Sequence, residues 1–412
     1  MSVAAVGKTP GPLSGVKVLE LGQFVAGPYC GSILAYFGAE VIKVEPFNGD
    51  QLRKFRDVDE SGNSFWWYSL GRNKKSVCID LRTVKGQELI KDLALKSDVL
   101  IENFKPGTMK KWGLDHDTLK QTNPGLVYSS ISGFGQTGPY ASRPGFASAC
   151  EAMGGLRYVN GFPDRPSVRP NLSIGDTMAG LNAALGTVMA LFARGKAGVQ
   201  GQVVDTAIYE SVFGLMEGVL CDYSGKGLVR ECSGSTITGI VPSNTYMCQD
   251  GKSIVIGANG DALFKRLCKQ MGREHDMGNN PEYQDNQGRV KHQKYLDEQI
   301  GNWTLTMPAI EVKRQVDQCQ VPNGMIYSIV DICEDEQYRA RGQLETVKIE
   351  HWPEGKQEMM IPAIGPKLSQ TPGRTEFPGR SQVGIDTDDV LKQVLGFSQS
   401  QLDELRASKV IA

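Results

Sequence analysis

Short apolar, β-branched stretches alternate with helix-patterned stretches through the first half of this chain, and that alternation constrains the fold more than any other feature. Residues 16–21, 40–45, 76–81, 98–102, 125–131 and 201–209 read as strands. Residues 30–37, 84–96 and 108–123 read as helices, the last with a break around Gly113. Strand, turn, helix, strand is the βαβ unit, which demands a parallel sheet with right-handed crossovers. The regular succession predicts a doubly wound α/β domain over residues 12–210. The turn at 22–28 is glycine-rich but lacks the Gly-x-Gly-x-x-Gly spacing of a dinucleotide site, so neither NAD nor FAD is expected. A turn of this kind still presents backbone N–H groups and a positive helix end to an anion.

At 412 residues the chain exceeds what one core usually covers, and two domains follow. Residues 222–245, rich in Gly, Ser and Thr, read as a linker or mobile loop. A hairpin with an Asp250-Gly251 turn and helices at 262–271, 289–302 and 310–318 make a smaller α+β domain. Proline-rich short strands over 340–380 and helices at 388–395 and 400–408 complete the chain. A formal charge of −1 gives no basic field for nucleic acid or membrane. The nine cysteines are odd in number and form no Cys-x-x-Cys pair, which predicts reduced thiols and no zinc site. No apolar run looks long enough to span a bilayer. Residues 1–12 carry neither a secretory nor a transit pattern, so a cytoplasmic location is expected, or an organellar one if a leader has been removed.

The candidate chemistry centres on Asn171-Leu-Ser-Ile-Gly-Asp-Thr-Met-Ala-Gly180. It sets one carboxylate, Asp176, at the head of an apolar helical run: Leu181, Ala184, Leu185, Val188, Met189, Leu191 and Phe192. The spacing is that of a buried helix face. Asp at this place has a plain reading as a helix cap, and position alone favours it. It also has a chemical one, a nucleophile that carries an acyl group covalently.

Two basic clusters punctuate the alternation, Arg72-Asn-Lys-Lys75 and Asn103-Phe-Lys-Pro-Gly107 with Lys110 and Lys111 beyond it. Such runs are usually solvated surface. The alternative is a phosphate and adenine pocket, since ligands of open α/β sheets sit beyond the carboxyl ends of strands. There Lys and Arg supply charge and Phe104 a stacking face. The loop Gly133-Phe-Gly-Gln-Thr-Gly-Pro-Tyr140 is too glycine-dense for helix or strand. Arg157, Arg165 and Arg169 are either surface arginines or bidentate partners for a substrate carboxylate.

Taken in order, several pieces resemble the class III CoA-transferases, the family of formyl-CoA transferase, carnitine-CoA transferase and α-methylacyl-CoA racemase. The pieces are Pro12-Leu-Ser-Gly-Val-Lys-Val-Leu19, Ala26-Gly-Pro-Tyr29, Phe37-Gly-Ala-Glu-Val-Ile-Lys-Val-Glu45 and Arg72-Asn-Lys-Lys-Ser76. Glu102-Asn-Phe-Lys-Pro-Gly107, Gly133-Phe-Gly-Gln-Thr-Gly-Pro139, Gly175-Asp176 and Val321-Pro-Asn-Gly324 extend the match over essentially the whole chain. With these in sequence, the nucleophile reading of Asp176 overtakes the cap.

The resemblance implies a Rossmann-like large domain built from both chain ends and a smaller α+β domain, in a homodimer of interlocked rings. The expected division is 1–221 for the first part of the large domain, 222–244 linker, 245–330 small domain, and 331–412 returning to the large one. It implies Asp176 as nucleophile, forming first a mixed anhydride and then an aspartyl-CoA thioester. It places coenzyme A against Gln23, Phe24, Val25 and Ala26, with Arg72, Lys75, Asn103, Phe104, Lys105 and Lys111 around the nucleotide. Gly133, Phe134 and Gly135 would serve the oxyanion, and Phe146, Arg157 and Arg169 the substrate. No metal and no tightly bound cofactor are expected; acyl-CoA is substrate.

Departures narrow the activity. Family racemases carry His and an acid where this chain has Phe146 and Ala147, and an aryl ring cannot exchange an α-proton. The long glycine run of formyl-CoA transferases is replaced by Ser233-Gly-Ser-Thr-Ile-Thr-Gly239, which argues against formate and oxalate. The expectation is CoA transfer from an acyl-CoA, succinyl-CoA foremost, to a small carboxylic acid, with the arginines favouring a dicarboxylic one. The alternatives are an acyl-CoA racemase or epimerase, and a non-catalytic CoA-binding subunit of a hetero-oligomer.

Overall fold

The computed structural model describes residues 9–196 and 198–412. Residues 1–8, on which most of the leader reading rests, lie outside them. In chain order the elements begin β1 (Lys17–Glu20), α1 (Ala26–Tyr36), β2 (Glu40–Glu45), α2 (Phe65–Leu70) and β3 (Lys74–Cys78). They continue with α3 (Val84–Leu95), β4 (Val99–Glu102), α4 (Thr108–Lys111), α5 (His116–Leu119) and β5 (Val127–Ser132). Next come α6 (Ala147–Met153), α7 (Leu156–Val159), α8 (Ile174–Lys196), β6 (Val203–Ala207), α9 (Ile208–Phe213) and α10 (Val219–Lys226).

β1 to β6 form one parallel sheet in the order β3-β2-β1-β4-β5-β6. Its strands are apolar on both sides because both faces are covered. In β1, Val18 points into the core shared with α1 and α8, while the next residue, Leu19, points into the core of the opposite face. The strand order reverses between β1 and β4, so the loops leaving those two strands diverge and open a crevice at their carboxyl ends.

α8 corrects two expectations. The residues it buries are the small ones, Ala179, Gly180, Ala183, Ala184, Thr187 and Ala190. Of the predicted buried face, Leu181, Leu185, Val188, Met189 and Phe192 are exposed. The cause is close approach: a Cβ on Gly180 would lie 2.7 Å from the Ala26 carbonyl oxygen, and one on Gly186 2.7 Å from Val204 Cγ1. Only a small-residue face lets the helix seat against α1 and β6. α8 is also, by length and composition, apolar enough to cross a bilayer, contrary to the sequence expectation. Its small-residue face is packed into the core of the sheet, which is the place of a core helix.

The remaining elements are β7 (Ser243–Met247), β8 (Ser253–Gly257), α11 (Asp261–Gln270), α12 (Asn286–Lys291), α13 (Gln293–Thr304), α14 (Ala309–Gln318) and β9 (Asn323–Met325). Then follow α15 (Ile329–Glu334), α16 (Glu336–Ala340), β10 (Leu344–Lys348), β11 (Glu358–Pro362), α17 (Thr387–Leu395) and α18 (Gln399–Ala407). The chain divides into two units, one of residues 1–156, 170–217 and 337–412, the other of 157–169 and 218–336. In the first, Leu391, Leu402 and Leu405 of α17 and α18 complete a core face of the sheet. The second holds an antiparallel sheet, β7-β8-β9. Its fully buried Arg289 donates to the carbonyls of Val241, Tyr283 and Asn259 and to Asp261. Residues 222–226, read as linker, finish α10, and the hairpin turns at Asp250-Gly251 as expected.

Candidate active site

The crevice between β1 and β4 is closed by a reciprocal pair of hydrogen bonds. Gln23 N donates to Asn103 Oδ1 at 2.7 Å, and Asn103 Nδ2 donates to the Gln23 carbonyl at 2.8 Å. The turn after β1 is thus joined to the turn after β4. Phe24 sits at φ 63°, a left-handed conformation that a bulky residue adopts only when its surroundings impose it. The imposing groups are charges. Phe24 N donates to Asp50 Oδ1 at 3.0 Å, Lys43 Nζ donates to the Gly22 carbonyl, and Lys74 Nζ donates to the Pro28 carbonyl at 2.6 Å. These side chains neutralise one another below the turn. Lys43 pairs with Asp50 at 2.7 Å and Glu20 at 3.2 Å, and Lys74 with Glu20 at 2.8 Å. All four are essentially buried. Burial draws the Lys43 pKa down, but Asp50, Glu20 and Glu45 together hold it above its ordinary value.

Beyond the strand ends lies a cavity of about 440 Å³. Gln23 and Phe104 line it, together with Phe47, Asn48, Arg82 and Trp112. Phe104 packs its ring edge to face on Trp112, centroids 5.2 Å apart, which leaves an aromatic wall on the cavity. Phe47, Arg82 and Trp112 were not among the sequence candidates. The strand β3 is Lys74–Cys78 rather than 76–81, so Asp80, read as strand, and Arg82, which already lay just past it, both belong to its carboxyl-end loop. Arg82 is held there by both carboxylate oxygens of Asp80, at 2.9 and 2.8 Å.

The same register removes two candidates. Lys75, in the edge strand β3, pairs with Ile42, and its Nζ reaches back to Glu40, at the amino end of β2, at 2.6 Å. It is three residues short of the carboxyl edge, about 10 Å at 3.3 Å per residue, and faces away from the crevice. Arg72 is buried and commits its guanidinium to Ser69, the Pro362 carbonyl and Thr375, tying α2 to β11. Neither is placed to meet a nucleotide. Lys105 and Lys111 are exposed. Lys105 lines a neighbouring cavity rather than the one with Gln23. Val25 and Ala26 are buried, so only their backbone is available.

Asp176 lies within the first turn of α8, two residues after its start, and is partly exposed. It is therefore not the helix cap. Gly175 lets α6 and α9 come close: a Cβ there would lie 3.1 Å from Ile208 Cγ2 and 3.2 Å from Glu151 Cγ. The Gly175 N–H donates to the buried Glu151 carboxylate at 3.2 Å. Across from it, burial and then the charges of Asp176 and Glu151 push the Cys150 thiol up to about 11, so the sulfur stays protonated. Its S–H donates to the Gly133 carbonyl at 3.3 Å. The start of α8, α6 and the base of the glycine loop thus lie against one another.

The glycine loop is drawn tight at its base, where a Cβ on Gly133 would meet Gly145 Cα at 2.7 Å. Phe134 stacks against Tyr140 and Tyr209. One expectation needs correcting: the Gly135 N–H already donates to Ser132 Oγ at 3.0 Å, so it is not available to an oxyanion. Phe146, at the head of α6, is largely exposed. Arg157, Arg165 and Arg169 fold with the second unit, where Arg165 lies over Phe162 and beside Asp164. Among the described residues no group of three or more His, Cys, Asp or Glu side chains is placed to hold a metal ion.

The chain is similar to known proteins over its full extent. It is 44% identical, over 98% of its length and 99% of the relative's, to succinyl-CoA–D-citramalate CoA-transferase of Chloroflexus aurantiacus. It is 38% identical, over its entire length and 95% of the relative's, to the succinyl-CoA–L-malate CoA-transferase alpha subunit from the same organism. Among solved structures, a CAIB/BAIF family protein from Brucella suis superimposes with a TM-score of 0.82, at 29% identity, over 94% of this chain and 100% of that one. The model of CoA-transferase family III matches residues 13–387. On that match, and on relatives that share the whole chain, the protein belongs to CoA-transferase family III and is a CoA-transferase.

Proposed function

We propose that this enzyme moves coenzyme A from succinyl-CoA to a small dicarboxylic acid, with Asp176 as the covalent carrier. The observation that carries the reading is the placement of a partly exposed carboxylate in the first turn of α8, near Cys150, whose S–H bonds the Gly133 carbonyl of the glycine loop. The names of the two relatives, acting on citramalate and malate, support the donor and the class of acceptor.

In the first step an Asp176 oxygen attacks the thioester carbonyl, the C–S bond breaks, and CoA leaves as thiolate, giving a mixed anhydride. The thiolate then attacks the aspartyl carbonyl, expels succinate and leaves an aspartyl-CoA thioester. The acceptor carboxylate attacks that carbonyl and expels the thiolate, giving a second anhydride. The thiolate finally attacks the acceptor's acyl carbon and releases the Asp176 carboxylate. The donor and product thioesters are of similar energy, so no ATP is needed, and one hard exchange becomes four easier steps. The positive end of α8 favours the carboxylate at rest. The nucleotide of CoA would occupy the cavity beyond β1–β4, its base against Phe104 and its phosphates near Arg82. The pantetheine would run along the Gln23–Ala26 turn.

The exposed apolar stripe of α8, Leu181, Leu185, Val188, Met189 and Phe192, is the surface on which a second copy would lie in an interlocked homodimer. Light scattering of the purified chain tests this, with a monomer contradicting it. For the activity, purified enzyme is given succinyl-CoA and a panel of mono- and dicarboxylates. New CoA thioesters of dicarboxylates are expected, with transfer abolished in Asp176→Ala while CoA binding persists. Transfer undiminished in Asp176→Ala would sink the proposal.

A further inference from the structure

One buried carboxyl at the crevice is not used by any step above. Glu102 ends β4 and is 4% exposed. Its two oxygens are divided between two loops. Oε2 accepts from the Phe104 N–H at 2.9 Å, which folds the Asn103-Phe104 turn back over the strand end. Oε1 accepts from the Ser130 hydroxyl. Ser130 Oγ in turn accepts from the Gln136 side-chain amide at 2.7 Å, and Gln136 belongs to the glycine loop. The Gln136 backbone N–H donates to Asp205 of β6, 3.1 Å from its nearer oxygen.

We infer that Glu102 is a positioning residue that locks the acyl-CoA turn, Asn103–Phe104, to the glycine loop through Ser130 and Gln136. The inference rests on the reading of Asn103 and Phe104 as acyl-CoA contacts. The network has a required polarity. Ser130 Oγ accepts from Gln136 Nε2, so its own O–H goes to Glu102, and the backbone N–H of Phe104 needs an acceptor too. A carboxylate satisfies both donors. A protonated Glu102 on the Oε1 side leaves the Ser130 hydroxyl without its acceptor, in a site where unsatisfied polar groups are costly.

Protonation is accessible near neutrality. Burial, with the Asp205 charge adding to it and the Ser130 and Phe104 hydrogen bonds opposing, raises the Glu102 carboxyl to about 7. The cavity of about 410 Å³ on which Glu102 opens carries further ionisable groups. Tyr128 comes from β5, Lys105 and Lys110 from in and around α4, Asp115 and His116 from the start of α5, and Asp117 from α5 itself. None is within the hydrogen-bond chain. The ionised, fully satisfied network is therefore the form that dominates above pH 7.

The test uses the full-length enzyme, with CoA binding by titration calorimetry and steady-state transfer from succinyl-CoA, at pH 6 and pH 8. Glu102→Gln keeps size and shape but offers one acceptor and a donor, and so imitates the protonated state. Dividing wild type by variant at each pH cancels the titration of the coenzyme's own thiol and phosphates. The ionised fraction of a group titrating at about 7 rises about tenfold between those pH values, so that ratio of kcat/KM for acyl-CoA should rise about tenfold. KM for the acceptor acid should not change. Ser130→Ala, which removes the link from Glu102 to Gln136 and leaves the bond to Phe104, should also flatten the pH dependence, and serves if Glu102→Gln folds poorly. A ratio that stays constant from pH 6 to 8, in either variant, overturns the inference. A wild-type enzyme that binds CoA but transfers nothing would instead count against the proposed reaction, and the calorimetric ratio would still judge Glu102.

Discussion

Lys43 is the residue on which the geometry of the Gly22–Pro28 turn depends most, and Lys43→Met makes that dependence measurable. Methionine matches the length of the aliphatic stem and removes the charge. Lys43 is 1% exposed, and its partners Glu20 and Asp50 are both 0% exposed. After the substitution Asp50 keeps no cation, and Glu20 keeps only Lys74, at 2.8 Å. Removing one member of a buried ion pair costs about 3–5 kcal/mol, because the surviving charge is stranded out of water. In a large domain each kcal/mol shifts the melting temperature by roughly 2–4 °C, so a fall on the order of 10 °C is expected in calorimetry. Asp50→Asn in the same chain removes the stranded charge and keeps an acceptor for the Phe24 N–H. The double variant should therefore melt above Lys43→Met alone. Since the Gly22 carbonyl has lost its donor, CoA affinity should remain reduced in the double variant even where stability recovers. A Lys43→Met protein that melts with wild type, or a double variant less stable than the single, would refute the electrostatic reasoning.

The corrections to the sequence reading make their own predictions. Lys75→Ala should leave KM for acyl-CoA unchanged, whereas Arg82→Ala should raise it severalfold, as steady-state kinetics will show. Arg72→Lys should lower the melting temperature without altering KM, because a lysine cannot reproduce the guanidinium's bonds to Ser69 and Pro362. Gly180→Ala drives a methyl to 2.7 Å from the Ala26 carbonyl and should cost about 1–3 kcal/mol in denaturant unfolding. Asp59 works against its own burial, but hydrogen bonds from Tyr68, Trp352 and Ser61 hold its carboxyl well below the usual range. A depressed carboxylate stabilises the fold above its ordinary pKa and loses that stabilisation as the pH falls. Melting of the wild type should accordingly be more acid-sensitive than that of Asp59→Asn.

Much of the sheet was legible because parallel strands buried on both faces are near-continuous apolar runs, and β1, β2, β4, β5 and β6 all fall within two residues of where the pattern puts them. β3 was misregistered because Lys74 and Lys75, charged and adjacent, look like loop. Lys74 in fact begins the strand, 2% exposed and paired with Glu20. That slip left Lys75 in a loop ahead of the strand and so put it among the candidates. The face of α8 was inverted for a different reason. Hydrophobic spacing identifies the large apolar side, but the single chain buries the small side, where Gly180 and Gly186 permit contact at backbone distance. The ion cluster below the 22–28 turn left a trace in the sequence, since a charge such as Lys43 in the middle of a doubly covered strand must find a partner. Which partner it finds depends on residues 23 positions before it and 7 after it, Glu20 and Asp50, and periodicity does not report contacts of that kind.

The central claim is that Asp176 becomes acylated. The most direct measurement is peptide mapping after the enzyme is mixed with succinyl-CoA alone and quenched with hydroxylamine, which converts an acylated carboxyl to a hydroxamate. The account predicts a hydroxamate on the peptide carrying Asp176, lost in Asp176→Asn and absent without acyl-CoA. A hydroxamate on another carboxyl, or none from an enzyme that is transferring CoA, would contradict it.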